Sequence, residues 1–490
     1  MDKPSKIYKN TMFLSLLSVL ERALGFIYRV VLARLLGAEG LGVYQIAVSH
    51  FFLLRTLGGG GLPVTLSRTV AGENAQGKSG EKSLFASLFL SLCVTLPITL
   101  FTLLFAGKIP ALSEESGALK ILVFSLPFAC AYAVIKGYFW GKKQFALPAL
   151  IEFFEELVMA ASGALLLIIF HGFSPMQGAK YAALAMSISC VFAATVSAFT
   201  LKKRPLPPRL FLKEAPPLFR AALPITAVRL CGTLVGSLSA VLLPWGLERA
   251  GYSPAEALSA FGVATGMVFP LLTSPLTVVG ALCTVLVPEL AEARVKGNRE
   301  RLSRAVEKGL FFTLALTLGL LPFFYALAKP LCNLLYQVPL AGELLKRASF
   351  LLPLFSLSML SQSFVNSLGY EKKTFLFSTV SSAVFLLLLL FLPKFLGIYA
   401  YLVALGGELL IGGGCSLLFL KKIAPPQKTF FKRSLPLFII PLFLLPFSNA
   451  IQRLFALTFP EPLASLLCAL AVLAVTALLY FLFGVFRKKR

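Results

Sequence analysis

The sequence predicts an all-α polytopic membrane protein of about fourteen transmembrane helices, and three observations carry that prediction. Of the 490 residues 58% are hydrophobic and only 14% charged, and a soluble chain of this size could not hide so much apolar surface. The apolar residues fall in blocks of about 20 or more, the length that crosses a bilayer as a helix. Lys and Arg, which give a net charge of +25, sit mostly in the short gaps between blocks, as the positive-inside bias requires. In a soluble protein that charge would suggest nucleic acid binding; here its distribution argues against it.

In chain order the apolar blocks lie near 11–33, 41–70, 84–107, 119–139, 146–170 and 178–200, then 217–244, 256–287, 305–328, 345–368, 374–393 and 396–420, and finally 434–452 and 463–486. The first follows a basic start without a small-residue cleavage site, so it reads as a span and not as a removed signal. Pro393 and Lys394 are the only punctuation between the eleventh and twelfth. Pro270 and Pro275 predict a bend in the eighth, and Pro224 a kink in the seventh. Residues 288–304 carry both charge signs and suit a helix along the membrane surface.

Orientation follows from the loops. With Lys3, Lys6 and Lys9 inside, the inner gaps hold Lys78 and Lys82, Lys142 and Lys143, the run Lys202-Lys203-Arg204, and Arg294 through Lys308. Lys372, Lys373, Lys421, Lys422 and the tail Arg487-Lys488-Lys489-Arg490 also fall inside, whereas the outer gaps keep isolated charges such as Lys108, Arg249, Lys329 and Arg453. Both termini are therefore expected in the cytoplasm of a bacterial inner membrane.

Residues 201–216 contain Pro205, Pro207, Pro208 and Pro216 among basic residues, which suits an extended cytoplasmic linker more than a helix. It separates an N-terminal lobe, 1–200, from a C-terminal lobe, 217–420, with two further helices and a basic tail in 421–490. An internal echo supports two lobes. Lys142-Lys143-Gln144-Phe145 is repeated as Lys372-Lys373-Thr374-Phe375, and Leu62-Pro63 as Val287-Pro288 at nearly the same offset. Each pair is expected to close corresponding spans of a six-plus-six repeat, a plan that places a site between lobes.

The chemistry lies in charges buried in apolar blocks. Arg22 and Arg29 stand in the first span, Arg55 in the second and Arg229 in the seventh. A charge at the bilayer centre costs roughly 2.5–3.5 kcal/mol on insertion scales, so such residues face a cavity or a partner. Several cations around one cavity make a receptor for an anion. Arg22 and Arg29 are about two turns apart and share a face, although Arg22 could also snorkel to the inner headgroups. Lys136 reads as interfacial. Glu21 adjoins Arg22. Glu152, Glu155 and Glu156 could pair with the arginines, bind a coupling cation or sit among headgroups. Glu408 is alone in the twelfth span, either a proton or cation site or the partner of an unseen donor. Gly58-Gly59-Gly60-Gly61 before Pro63 is a hinge or a site of close packing. Eight cysteines without a Cys-x-x-Cys pair and only His50 and His171 point to no metal centre, no catalytic site and no cofactor.

The run Glu21-Arg22-Ala23-Leu24-Gly25-Phe26-Ile27-Tyr28-Arg29 through Arg34-Leu35-Leu36-Gly37-Ala38-Glu39-Gly40-Leu41-Gly42-Val43-Tyr44, continued by Gly61-Leu62-Pro63-Val64-Thr65-Leu66-Ser67-Arg68, resembles the stage V sporulation protein B group. That group sits in the multidrug/oligosaccharidyl-lipid/polysaccharide exporter superfamily with the MATE transporters and the lipid II flippase. The resemblance implies a two-lobed MATE/MurJ-like bundle of six-plus-six helices with two more at the C-terminus. It implies a flippase of an undecaprenyl-pyrophosphate-linked glycan, lipid II or a related cell-wall or spore-cortex precursor, moved from inner to outer leaflet. The cavity cations carry over to Arg22, Arg29 and Arg55, and more loosely to Arg229. The flippase pattern places Arg-Asp directly after Gly-Phe-x, whereas here Gly25-Phe26 is followed by Ile27-Tyr28-Arg29-Val30, which leaves other lipid-linked sugars open. Membrane lipids and a cell-wall polymerase are the expected partners, and Na⁺, H⁺ or the membrane potential the energy source. The rival readings are a multidrug exporter of the same fold, a membrane glycan polymerase and a structural partner without transport.

Topology is testable directly. Cysteines introduced at Lys203 and Lys488 should resist a membrane-impermeant maleimide in sealed cells, while one at Arg453 should react. Efficient external labelling at either of the first two positions would break the fourteen-span scheme.

Overall fold

The computed structural model describes residues 4–105, 116–170, 172–201, 206–425 and 428–482. Lys3, Lys108, His171, Lys202, Lys203, Arg204 and the tail Arg487–Arg490 lie outside the described residues. Every regular element among the described residues is helical. Eleven helices are long and apolar enough to cross a membrane, or twelve if one bent pair counts as a span. Pro4–Leu57 and Ala146–Ile169 fall outside that set; they are the helices that hold Glu21, Arg22, Arg29, Arg55 and the three glutamates. The chain is an all-α polytopic membrane protein that divides into two compact units.

The first unit is Met1–Pro244 with Pro254–Gly262. Pro4–Leu57 (α1) runs through the first expected gap, between blocks 11–33 and 41–70, with only a kink at Gly37 (φ 68°). Glycine adopts a positive φ at little cost, so the helix turns without a loop. The chain breaks instead at Gly58–Gly61, and Leu62–Ala75 (α2) restarts with Pro63 in its first turn, where a missing N–H breaks no hydrogen bond. Glu81–Phe105 (α3) follows. Ser116–Phe124 (α4) and Leu126–Gly141 (α5) meet at a bend of 41°. Pro127 accounts for it, because its ring offers no N–H to the Val123 carbonyl four residues back. Thr99 donates its hydroxyl to that carbonyl instead, at 3.3 Å.

Ala146–Ile169 (α6) packs on both α1 and Pro175–Leu201 (α7). The proline-rich linker is not extended where described. Pro208–Phe211 (α8) and a 3-10 turn, Leu212–Glu214, lead straight into Ala215–Glu248 (α9). Pro207 is extended (φ −63°, ψ 141°) and Pro208 occupies the first helical turn, so the prolines set where the helix starts and do not prevent it. Pro254–Gly262 (α10) completes the unit. It touches α1 through glycines: a Cβ on Gly42 would lie 2.1 Å from the Leu258 carbonyl oxygen, and one on Gly262 2.2 Å from that of Ala38. Small residues let two membrane helices meet backbone to backbone.

The second unit is Trp245–Ser253 with Val263–Arg490. Val263–Val268 is a π-helical turn leading into Phe269–Thr273 (α11) and, beyond Pro275, Leu276–Val295 (α12). The eighth expected span is therefore interrupted at Ser274 and Pro275, while Pro270 lies within a run that stays helical from Pro254 to Thr273. Residues 288–304 form no separate surface helix: they end α12 and open Arg299–Tyr336 (α13) across Gly297 (φ 65°). Asn298 caps α13 by accepting the Arg301 N–H at 2.9 Å, and its side chain replaces a missing intrahelical partner. Pro339–Ala348 (α14), Leu352–Ser367 (α15), Glu371–Phe391 (α16), Pro393–Leu396 (α17) and Tyr399–Ile423 (α18) follow, then Lys428–Ala456 (α19) and Glu461–Leu482 (α20). Pro393 does separate α16 from α18, aided by Gly397 (φ 53°). A core of Leu286, Leu290, Leu302, Leu360 and Phe364 ties α12, α13 and α15 together.

Of the two echoes, Lys142-Lys143 lies in the turn between α5 and α6, whereas Lys372-Lys373 falls in the first turn of α16. The other pair does not close helices: Pro63 starts α2, while Pro288 lies inside α12.

The glycine crossing has a measurable consequence. Gly42→Ala should lower the thermal stability of the detergent-solubilised protein by about 1–3 kcal/mol, the usual range for overpacking. Gly232→Ala, with nothing within 4 Å of the added Cβ, should not.

Candidate functional site: a mixed charge cluster beside a broken helix

The first unit gathers most of the charges singled out above. On α1, Gly25 stands between Arg22 and Arg29, and its lack of a side chain admits Glu156: a Cβ there would lie 2.7 Å from Glu156 Oε1. The same two helices meet again at Gly163, where a Cβ would come 2.2 Å from the Tyr28 hydroxyl. Glycines thus draw α6, with Glu152, Glu155 and Glu156, against the arginine-bearing part of α1. From α5, Lys136 forms an ion pair with Glu152 and lies 4.8 Å from the centre of the Trp140 ring. Read from sequence as interfacial, Lys136 is part of the cluster.

The remaining members act on one another at longer range. Arg55, Glu152, Glu156 and Lys136 all exert their charge on Glu155. Glu21 and Arg29 do so on Glu156, and Arg22, Lys136 and Glu152 on Glu21. Four cations therefore share one electrostatic neighbourhood with four carboxylates. Only Lys136 and Glu152 are directly paired: among the described residues no carboxylate reaches ion-pair distance of Arg22, Arg29, Arg55 or Arg229. Arg22, Arg29 and Arg229 are exposed and Arg55 is partly so. Guanidinium groups in that condition keep their forked donors available to a phosphate or carboxylate.

Arg229 has a different partner. Its Nη1 donates to the Gly60 carbonyl at 2.6 Å, while the Gly61 N–H donates to Thr226 Oγ1 at 2.9 Å and Ser91 Oγ donates to the Gly58 carbonyl at 3.3 Å. The glycine break is at once a break and a tight contact, since a Cβ on Gly58 would lie 2.5 Å from Thr95 Cγ2. Broken backbone at membrane depth needs such substitute partners. Thr226 and Ser91 escaped the sequence reading although both left a signal. Thr226 shares a helical face with Arg229, and Ser91 belongs to a buried Ser83-Ser87-Ser91-Thr95 stripe at four-residue spacing.

Glu408 belongs to the second unit and not to this cluster. Its unseen donor is Ser382 on α16, whose Oγ donates to Glu408 Oε1 at 2.8 Å. Nearby, Gln362 Nε2 donates to Ser358 Oγ at 2.9 Å. No group of three His, Cys, Asp or Glu among the described residues is arranged to hold a metal.

The Lys136–Glu152 pair should behave as a structural element. Lys136→Met strands Glu152 and should lower thermal stability by roughly 1–3 kcal/mol. Adding Glu152→Gln should restore most of the loss in a melting experiment. Equal loss in the single and double variants would mean that the pair is not what holds the site.

Comparison with known proteins places these features in a family. Residues 7–293 match the family described as polysaccharide biosynthesis protein. Stage V sporulation protein B of Bacillus subtilis (strain 168) is 30% identical over 304 residues, a stretch covering 58% of this chain and 58% of that protein. The structure of lipid II flippase MurJ in an inward closed conformation superposes with a TM-score of 0.76 at 17% identity, over 96% of this chain and 99% of the other. An inward-facing multidrug resistance MATE transporter of the MOP superfamily gives 0.66 at 17% identity, over 82% and 94%. The chain thus shares its fold with non-enzymatic membrane transporters, and it belongs to the polysaccharide biosynthesis protein family.

Proposed function

We propose that this protein is a flippase that carries an anionic undecaprenyl-linked glycan from the inner to the outer leaflet by alternating access. The observation that carries this reading is a set of guanidinium groups, Arg22, Arg29 and Arg55 on α1 and Arg229 on α9, with no carboxylate at ion-pair distance among the described residues. A cation held in hydrocarbon without a counter-ion is unfavourable by several kcal/mol. A substrate that brings its own negative charge removes that penalty. A pyrophosphate suits guanidinium best, because the planar fork donates two parallel hydrogen bonds. Family membership and the shared fold with the lipid II flippase MurJ support lipid II or a related wall precursor as cargo.

In this reading Arg22, Arg29 and Arg55 hold the headgroup, Arg229 assists, and the polyprenyl tail stays in lipid. Glu21, Glu155 and Glu156 temper the cationic charge so that the headgroup can leave again. The fourteen-span arrangement, with lobes 1–200 and 217–420, the linker 201–216 and the appended helices and tail in 421–490, supplies the rocking halves; the Gly58–Gly61 break with Pro63 supplies a hinge. Both termini face the cytoplasm. Coupling to Na⁺, H⁺ or the membrane potential would pass through Glu408 or the α6 glutamates. No bond is made or broken, so no catalytic residue is needed. A cationic drug would be repelled by the same arginines, which disfavours a multidrug exporter.

Arg29→Ala or Arg55→Ala should reduce flipping at least ~10-fold, the scale set by loss of one charge-assisted hydrogen-bonding group, with folded protein still in the membrane. Lys at either position should rescue partly. Purified protein in liposomes, offered labelled lipid II and an undecaprenyl-phosphate-linked sugar separately, reads both the loss and the cargo. Full flipping by well-folded Ala variants would remove the binding role. Failure of the parent with either lipid, under a potential and with Na⁺ or H⁺ gradients, would overturn the class of function.

A further inference from the structure

We infer that Arg229 is a positioning residue that latches the Gly58–Gly61 turn, and that a pyrophosphate headgroup releases this latch by taking the same guanidinium. The latch stands on geometry alone; its release rests on the anionic cargo proposed above.

The break between α1 and α2 leaves a short run of backbone outside any helix. The carbonyls of Gly59 and Gly61 receive the N–H groups of Leu62 and Thr65, at 3.0 and 3.1 Å. The carbonyl of Gly60 receives the Arg229 guanidinium at 2.6 Å. Thr226 completes the contact from the same face of α9. Its hydroxyl accepts the Gly61 N–H at 2.9 Å and donates to the Ala222 carbonyl at 3.0 Å, so its single donor and one acceptor position are committed. A Cβ on Gly61 would lie 2.2 Å from the Ala222 carbonyl oxygen. Ala222, Thr226 and Arg229 thus form one helical face fitted to this turn, and the fit requires glycine at position 61.

Of these contacts the arginine's is the exchangeable one. The Thr226 bonds involve neutral groups in a packed contact. Arg229 is exposed, has no carboxylate at ion-pair distance among the described residues, and uses one of the five N–H donors of a guanidinium. A phosphate oxygen accepts more strongly than an amide carbonyl and takes two of those donors at once. Arg55 lies five residues before Gly60 near the end of α1. A headgroup bound there that recruits Arg229 would pull the guanidinium off Gly60 and free the turn while Thr226 still anchors it. Arrival of cargo is thereby tied to loosening of the α1–α2 break.

The test is hydrogen–deuterium exchange of the segment 56–66 in lipid nanodiscs, with undecaprenyl pyrophosphate or neutral undecaprenol added and lipid binding measured on the same samples. In the parent, undecaprenyl pyrophosphate should speed exchange of the turn ~10-fold, the change set by losing one hydrogen bond to a charged group; undecaprenol should leave it unchanged. Arg229→Gln should exchange fast without lipid and respond no further, whereas Arg229→Lys should restore part of the protection. Thr226→Val should raise the basal rate but keep the response to pyrophosphate, which a merely structural role for Arg229 would not produce. Parental protection in Arg229→Gln would overturn the latch. Binding of undecaprenyl pyrophosphate with no change in exchange would overturn the release step alone. Absence of binding would overturn release together with the anionic-cargo reading, while lost protection in Arg229→Gln would still uphold the latch.

Discussion

Water is missing from the interior of a bilayer, and most of what distinguishes this protein follows from that. Each charge or broken backbone group placed there must find its complement within the protein or in what the protein carries. Where a complement is available locally, the structure supplies it: Lys136 for Glu152, Ser382 for Glu408, Thr99 for the carbonyl that Pro127 orphans. Arg22, Arg29 and Arg55 are the exception. They share their surroundings with carboxylates but, among the described residues, close no ion pair with them. Separation without neutralisation leaves a polar locus that is tolerable when empty and still responsive to an anion.

Helix packing determines that separation. Gly25 and Gly163 bring α6 close enough for its glutamates to feel the arginines, and the Lys136–Glu152 pair then takes one carboxylate out of play. A larger residue at Gly25 would move Glu156 away and leave Arg29 less compensated. Close packing and electrostatics are therefore the same question at this interface.

Much of the architecture was legible in the sequence because bilayer thickness imposes a length on every span and leaves the loops to carry the charge. Membership of the family was legible in the run from Glu21 to Arg68, and the break before α12 in Pro275. What escaped was conformation that depends on neighbours. The chain passes Gly37 as a kink because nothing at that point forces a loop, and the linker prolines start α8 because a proline is harmless in a first turn. At the site, residue types announced the charges, but pairing is a tertiary fact. Lys136 and Glu152 are sixteen residues apart on different helices, and Arg229 reaches a carbonyl 169 positions away. No local pattern encodes either meeting.

The crossing of α1 and α10 at Gly42 and Gly262 is a contact of a different kind from all of these. It consists of main-chain atoms lying against one another, with no side chain on either glycine. At the two glycines themselves adhesion is governed by shape, because main-chain atoms meet there with no side chain between them. Where backbone meets backbone the spacing is set by the chain itself, and there is no side chain that could repack to let the two helices drift apart by degrees.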